Sequence, residues 1–424
     1  MVEKKALPPE LQDGSEEGAP GVADARYEAW TTEGEPVVEH TADAPRVRAR
    51  ELGLWFGPGT PGKHNAITDV PGVRVGHCTI VHGFGALEVG KGPARTGATA
   101  ILPVSTDGDD SIFLQRLAAG GFVLNGAGEM IGLTQVQEWG LLETPIVLTN
   151  TLAVGVAHSA VVRWMLRQVP DIGRAHDTVI PVIAECDDSW LSDIGGGHVK
   201  ETHVLEALER AASASGAGAV QEGAVGSGTG MITCDFAGGI GTASRVLPQR
   251  EGGYTVGVLV QSNFGRTQDL RMGGVPVGQL LENQYQKIHK RGGDYGSIIV
   301  IVATDAPLLS QQLVRVSKRA ALGIARAGSV AGHGSGEIVL SFSTANRFAR
   351  NAAPRVQRMD VMSDEHIDPI FRAAVEATEE AIVNAVCMAG DVVGVNHHLA
   401  PGLPLDKVRD FAARYTPADL VPKR

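Results

Sequence analysis

The chain has 424 residues, 43% of them hydrophobic and 20% charged, with a formal net charge of −11. This is the balance of a soluble globular protein, and it is too acidic to offer the basic surface that nucleic acid requires. No run reaches the roughly 18 consecutive apolar residues of a membrane span, so no membrane partner is expected.

Residues 1–46 are rich in Glu, Asp and Pro and poor in large aliphatics, which predicts a disordered acidic tail. They contain no apolar core of a secretory signal, so a cytoplasmic location is expected. Residues 47–424 read as a single catalytic domain. Strands are predicted at 99–104, 144–150, 178–185, 254–261, 297–304 and 337–344, each rich in β-branched residues and bounded by Gly, Asp or Pro. Helices fit 203–213, 310–327 and 365–389. In the second helix Leu309, Leu313, Val316, Ala320 and Ile324 recur at three- and four-residue steps, which makes one face apolar. Mixed strands and helices without a strict βαβ rhythm point to a layered α/β or α+β sandwich. Glycine is the outlier in composition, with 54 residues and no period, and reads as tight turns and close backbone approaches.

Ordinary catalytic motifs are absent. There is no G-x-x-x-x-G-K-[ST] loop, and neither glycine cluster, 125–132 or 223–230, places G-x-G-x-x-G between a strand and a helix. Ser335 and Ser227 lack the flanking glycines of a nucleophile elbow. The pairs His77-Cys78 and His397-His398 are adjacent rather than convergent, and Cys78, Cys186, Cys234 and Cys387 form no CxxC, so they read as reduced, buried thiols. No metal and no organic cofactor is expected.

The stretch "GGDYGSIIVIVATDAPLL" (292–309) runs from Gly296-Ser297 into an apolar strand with no turn residue between. Two readings stand: a loop feeding a buried strand, or a cleaved Gly296–Ser297 bond that makes Ser297 an N-terminus. In the second, Ser297 carries a hydroxyl and an α-amine with a pKa of about 7.7–8.0, which can act as its own general base. The step alone decides little, because Gly-Ser occurs five times in the chain.

The surrounding motifs are more specific. "NAITDVPGVRVGH" (65–77), "TGATAILP" (96–103), "NGAGEMIG" (125–132), "TPIVLTNTLAVG" (144–155) and "GAVGSGTGM" (223–231) resemble the P1 (S58) peptidase family. So do "GGIGTASR" (238–245), "VQSNFGR" (260–266), "GSIIVIVATDAPLL" (296–309) and "GSGEIVLSFSTAN" (334–346). That family comprises DmpA-like L-aminopeptidase/D-esterases and BapA-like β-peptidyl aminopeptidases.

The resemblance implies a four-layer αββα sandwich similar to N-terminal-nucleophile hydrolases and to ornithine acetyltransferase. It implies self-cleavage between Gly296 and Ser297 into an α chain (1–296) and a β chain (297–424), and assembly of αβ units as a tetramer. It assigns Ser297 as nucleophile, Ser335 and Glu337 as its polar partners, and Asn263 as oxyanion donor. Two residues apart on a strand, Ser335 and Glu337 are expected to face Ser297 together. Asn263 could equally be a turn former ahead of Phe264-Gly265. Some members carry a tyrosine near the site. This chain has none between Tyr27 and Tyr254 and offers Trp190 instead, which leaves a backbone N–H as second oxyanion donor. A substrate ammonium needs a carboxylate, for which Glu129 is the candidate, although a glutamate in a glycine-rich loop is ordinarily solvated. Asn150 either lines the site or caps the following helix. The implied substrates are short peptides and amino-acid amides or esters. An ornithine acetyltransferase-like acyl transferase, which uses threonine, and an uncleaved binding protein are the alternatives.

Overall fold

The computed structural model describes residues 45–104, 110–285, 295–350, 355–417 and 420. The tail expected at 1–46 lies outside the described residues as far as residue 44. Arg46 is already docked, donating to the carbonyls of Cys387 (2.7 Å) and Leu403 (2.9 Å).

In chain order the strands that build the site are β1 (Arg74–His82), β2 (Ala94–Leu102), β3 (Gln115–Gly126), β4 (Met130–Ile131), β5 (Leu141–Leu142), β6 (Ile146–Asn150) and β7 (Val182–Cys186). They continue with β8 (Ile232–Thr233), β9 (Phe236–Ala237), β10 (Gly239–Val246), β11 (Thr255–Asn263), β12 (Tyr295–Thr304) and β13 (Gly334–Ala349). The helices are α1 (Leu133–Trp139), α2 (Val154–Gln168), α3 (Glu201–Ala212), α4 (Val277–Tyr285), α5 (Ser310–Arg326) and α6 (Asp368–Met388). One sheet has the order β1-β2-β6-β7-β4 and the other β10-β11-β12-β13-β3-β5. Helices α2 and α3 cover the first sheet, and α5 and α6 cover the second. The four-layer αββα sandwich implied by the motifs is the architecture found.

Strand β12 shows why the layers hold. Ile299, Ile301 and Ala303 join the core between the two sheets, while Ile298, Val300 and Val302 join the core beneath α5 and α6. A strand buried on both faces needs an unbroken apolar run rather than alternation, which is what this sequence supplies. The apolar stripe read on α5 packs there as expected through Leu313, Val316, Ala320 and Ile324, while Leu309 is the residue that precedes the helix.

Several elements differ from the sequence expectation. The 178–185 strand begins only at Val182, and the 365–389 helix begins at Asp368 after a short 3-10 turn. Strand β12 begins at Tyr295, two residues before Ser297, because Tyr295 and Gly296 already pair with Gly334 and Ser335 of β13. In the uncut chain, Ser297 is therefore inside a strand and not at its start. Strands β3 and β10 were hidden by their glycines. A Cβ on Gly120 would lie 2.6 Å from the Val314 nitrogen of α5, and one on Gly241 would lie 1.9 Å from the Ala381 carbonyl oxygen of α6. At these two positions the helix backbone comes so close that the strand can carry no side chain.

Candidate active site

Strand pairing brings four of the expected residues to one end of the second sheet. Asn263, the last residue of β11, is the direct antiparallel partner of Ser297 on β12. On the other side β12 runs parallel to β13, with Gly296 beside Ser335, Ser297 beside Gly336 and Ile298 beside Glu337. Paired residues share a face, so the Ser297 side chain shares its face with Asn263 and with Gly336, which has none. Ser335 and Glu337 lie on the opposite face, with Gly296 and Ile298. That departs from the expectation that both would face the Ser297 hydroxyl. Ser335 is thus the partner of Gly296 and Glu337 the partner of Ile298, one on each side of Ser297 along the strand.

Each polar group is held from several sides. Asn263 is 1% exposed; its Oδ1 accepts from the Ile232 N–H of β8 (2.9 Å) and its Nδ2 donates to the Asp187 carbonyl (2.8 Å). These bonds fix the plane of the carboxamide, so it is not a loop-tip turn former. The Ser335 hydroxyl donates to Glu337 Oε1. Burial raises the Glu337 pKa, and the bond from Ser335 partly offsets this. Ser297 is 4% exposed, and among the described residues its hydroxyl bonds to no oxygen or nitrogen; it faces the Cys186 thiol of β7. Burial pushes that thiol well above the usual range, so it is a neutral neighbour.

The remaining candidates fall at different depths. The Glu129 side chain is exposed, while its backbone N–H donates to Glu185 Oε1 (2.8 Å). Asn150 is buried, accepts from the Ala153 N–H (3.0 Å) as a helix cap and donates to Thr96 Oγ1 (2.8 Å). Trp190 stacks on His398 with ring centroids 3.9 Å apart, and its carbonyl accepts from His398 Nδ1 (2.8 Å). Its loop enters the site through the Asp187 carbonyl. No group of three His, Cys, Asp or Glu side chains able to hold a metal ion occurs among the described residues. No helix among them is long and apolar enough to cross a membrane.

Residues 65–400 match peptidase family S58. The chain belongs to that family. It is 43% identical over 387 residues to the β-peptidyl aminopeptidase BapA of Sphingosinicella microcystinivorans, covering 88% of this chain and 94% of that one. The structure of a Burkholderia sp. β-aminopeptidase superposes with a TM-score of 0.77 at 42% identity, covering 87% and 99% of the two chains. The L-aminopeptidase D-Ala-esterase/amidase of Ochrobactrum anthropi, described as a variant of the Ntn hydrolase fold, gives 0.77 at 40% identity over 88% and 99%. The S58 fold and the DmpA-type architecture implied by the motifs are thus those of this chain.

In this S58 chain the sequence reading overlooked Glu185. It is 3% exposed, burial raises its pKa, and the Thr151 hydroxyl and the Glu129 N–H partly offset that. A Cβ on Gly128 would meet Glu185 Oε1 at 3.2 Å and the Gly336 Cα at 3.6 Å, so only a glycine separates this carboxylate from the neighbour of Ser297. One signal was available: an acid in the otherwise apolar "VIAEC".

Asp188, next to the carbonyl that holds Asn263, is fully buried, and burial pushes its carboxyl up to about 7. An acid whose folded pKa exceeds its unfolded value of about 3.9 favours folding in its protonated form. Its contribution is complete below about pH 4 and is lost as pH rises through about 7. Asp188→Asn is therefore expected to stabilise the protein more at pH 8 than at pH 5, the difference being on the order of 2 kcal/mol. Urea denaturation at the two pH values measures this, and an equal effect at both contradicts it.

Proposed function

We propose that the chain is a self-processing aminopeptidase. The observation that carries the reading is the buried Ser297 hydroxyl set between Asn263 and Gly336, with the Ser335–Glu337 pair on the Gly296 side of the same strand. In the cut, Ser297 Oγ attacks the Gly296 carbonyl and the Gly296–Ser297 amide becomes an ester. Water then hydrolyses the ester, leaving a carboxylate on Gly296 and a free amine on Ser297. The amine emerges on the strand whose neighbour carries Ser335 and Glu337, where a carboxylate favours its protonated form and a hydroxyl orients it.

In turnover the neutral amine accepts the Ser297 hydroxyl proton, and Oγ attacks the substrate carbonyl. The Asn263 amide stabilises the oxyanion, and the ammonium returns the proton to the leaving amine or alcohol. Water releases the acyl group. Chemistry confined to Ser297, Ser335, Glu337 and Asn263 calls for no cofactor. Glu185 is placed better than Glu129 to pair with the substrate ammonium, because it is buried and only Gly128 separates it from Gly336. Substrates are short peptides and aminoacyl amides or esters with a free amine, and assembly of αβ units into a homo-oligomer, a tetramer, belongs to the same reading.

The test uses α- and β-aminoacyl p-nitroanilides, each with a free and an acetylated amine. Free-amine substrates should be cut and acetylated ones refused. Glu185→Gln should raise KM by roughly tenfold to a hundredfold while changing kcat less, the scale of a lost charged hydrogen bond. Equal hydrolysis of acetylated and free substrates overturns the aminopeptidase reading.

A further inference from the structure

The loop between α5 and β13 lies beside the Ser335–Glu337 pair and has little regular bonding of its own. Ala331 sits at φ +47°, in the left-handed region that a side chain disfavours. The loop is closed by a turn from the Ser335 N–H to the Gly332 carbonyl (2.9 Å) and by a bond from the Ala331 N–H to Ser329 Oγ (3.0 Å). Two side chains tie it to the sheet: Ser329 of the loop, whose hydroxyl reaches the Glu337 carboxylate, and Asn125 of the neighbouring strand. Asn125 of β3 is the direct partner of Glu337, and its Nδ2 donates to the carbonyls of Ser335 (2.6 Å) and Gly332 (2.7 Å). The ladder slips between Glu337 and Ile338, so this corner is not held by regular strand pairing alone.

We propose that Asn125 is a positioning residue, whose carboxamide gathers residues 331–335 and holds the Ser335–Glu337 pair in register beside the Ser297 N-terminus. The inference rests on the nucleophile reading above and assigns a residue that takes no part in bond making. It is also geometrically selective. Two carbonyl acceptors on one turn require a nitrogen carrying two hydrogens, which a carboxamide has and a carboxylate or hydroxyl lacks.

Three variants of the full-length chain test it. Asn125→Ala should fold with a near wild-type Tm and lose about tenfold or more in kcat, the scale of losing two such bonds, with KM moving less. Asn125→Gln should recover part of the loss. Asn125→Asp places a carboxylate against carbonyl oxygens and opposite Glu337. Glu337 must be ionised to hold the Ser297 ammonium, and a like charge raises its pKa, so the acid limb of the kcat/KM profile should move up by about one pH unit. Other titratable groups at this corner are the freed Ser297 amine, Glu185 beyond Gly128, and the exposed His333 of the gathered loop. A purely structural role would lower Tm without moving that limb.

An Asn125→Ala kcat within twofold of wild type, or an unmoved acid limb in Asn125→Asp, overturns the proposal. If Asn125→Ala does not fold, the Asn125→Asp profile decides alone. Hydrolysis surviving in Ser297→Ala would overturn both this inference and the nucleophile reading. An inactive Ser297→Ala beside an unmoved Asn125→Asp limb would overturn this inference only.

Discussion

Ser297→Ala is expected to run as one full-length band and to hydrolyse no aminoacyl p-nitroanilide, whereas the wild-type chain runs as two fragments, 1–296 and 297–424. The substitution removes one oxygen from a position 4% exposed, so the fold should survive. That oxygen is the only proposed nucleophile in both the cut and turnover. Its loss should lower hydrolysis at least a thousandfold, as deletion of a covalent nucleophile does elsewhere. Denaturing gels and intact mass measure the first effect, and p-nitroaniline release measures the second. Ser297→Thr keeps a hydroxyl and should still cut, more slowly, because the added methyl must fit beside Cys186. A wild-type chain that stays intact yet hydrolyses these substrates would exclude the amine as base.

Arg245→Met should be the most damaging change outside the site. The Arg245 guanidinium is 1% exposed and pairs with Glu376 (3.1 Å) and Glu380 (2.8 Å) of α6. It also donates to the carbonyls of Ser244 (2.8 Å) and Phe56 (3.3 Å). Burial alone would push the Glu380 carboxyl up, but Arg245, Arg50 and Asn65 outweigh it and hold the group below its ordinary value. Without Arg245 two carboxylates remain buried and under-paired, which costs about 3–5 kcal/mol. The deficit should shrink in acid. Losing Arg245 removes the largest influence that holds the Glu380 carboxyl down against burial, so that group moves up and the variant loses stability relative to wild type as pH rises. Urea midpoints at pH 5 and pH 8 measure this, and an equal deficit at both would contradict the charge argument. Adding Glu376→Leu and Glu380→Leu should recover much of the loss, since an apolar set of similar volume often matches a buried ion cluster.

How far the sequence reached depends on which force sets each feature. Strands β6, β11 and β12 and helix α5 were legible because local composition and period already match the buried environment. Strands β3 and β10 were not. Gly120 and Gly241 answer to α5 and α6 lying across them, and that contact is invisible along the chain. In the site, Ser297, Ser335, Glu337 and Asn263 were found through resemblance, and strand register then explains why such distant residues meet. The plane of Asn263 is fixed by residues 31 and 76 positions away, beyond any local pattern. The face carried by Ser335 and Glu337 followed from pairing with Gly296, which no spacing rule predicts. Glu185 lay inside a predicted strand and became meaningful only when Gly128 and Gly336 were seen beside it.

The order β10-β11-β12-β13-β3-β5 has a consequence for the protein's lifetime. All of β13 and all of β12 except Tyr295 and Gly296 follow residue 296, and the strands on either side of them precede it. With the chain cut as proposed, a central two-stranded ribbon from one piece would be zipped along both edges into strands of the other. Neither piece can leave without opening two ladders and the core beneath them, so dilution should not separate the pieces. Unfolding, by contrast, would release two chains that must find each other again, and whose joining bond no longer exists. Refolding then becomes a bimolecular event that competes with aggregation. Durability of the proposed two-chain form would therefore be set by how slowly it unfolds rather than by an equilibrium it can revisit.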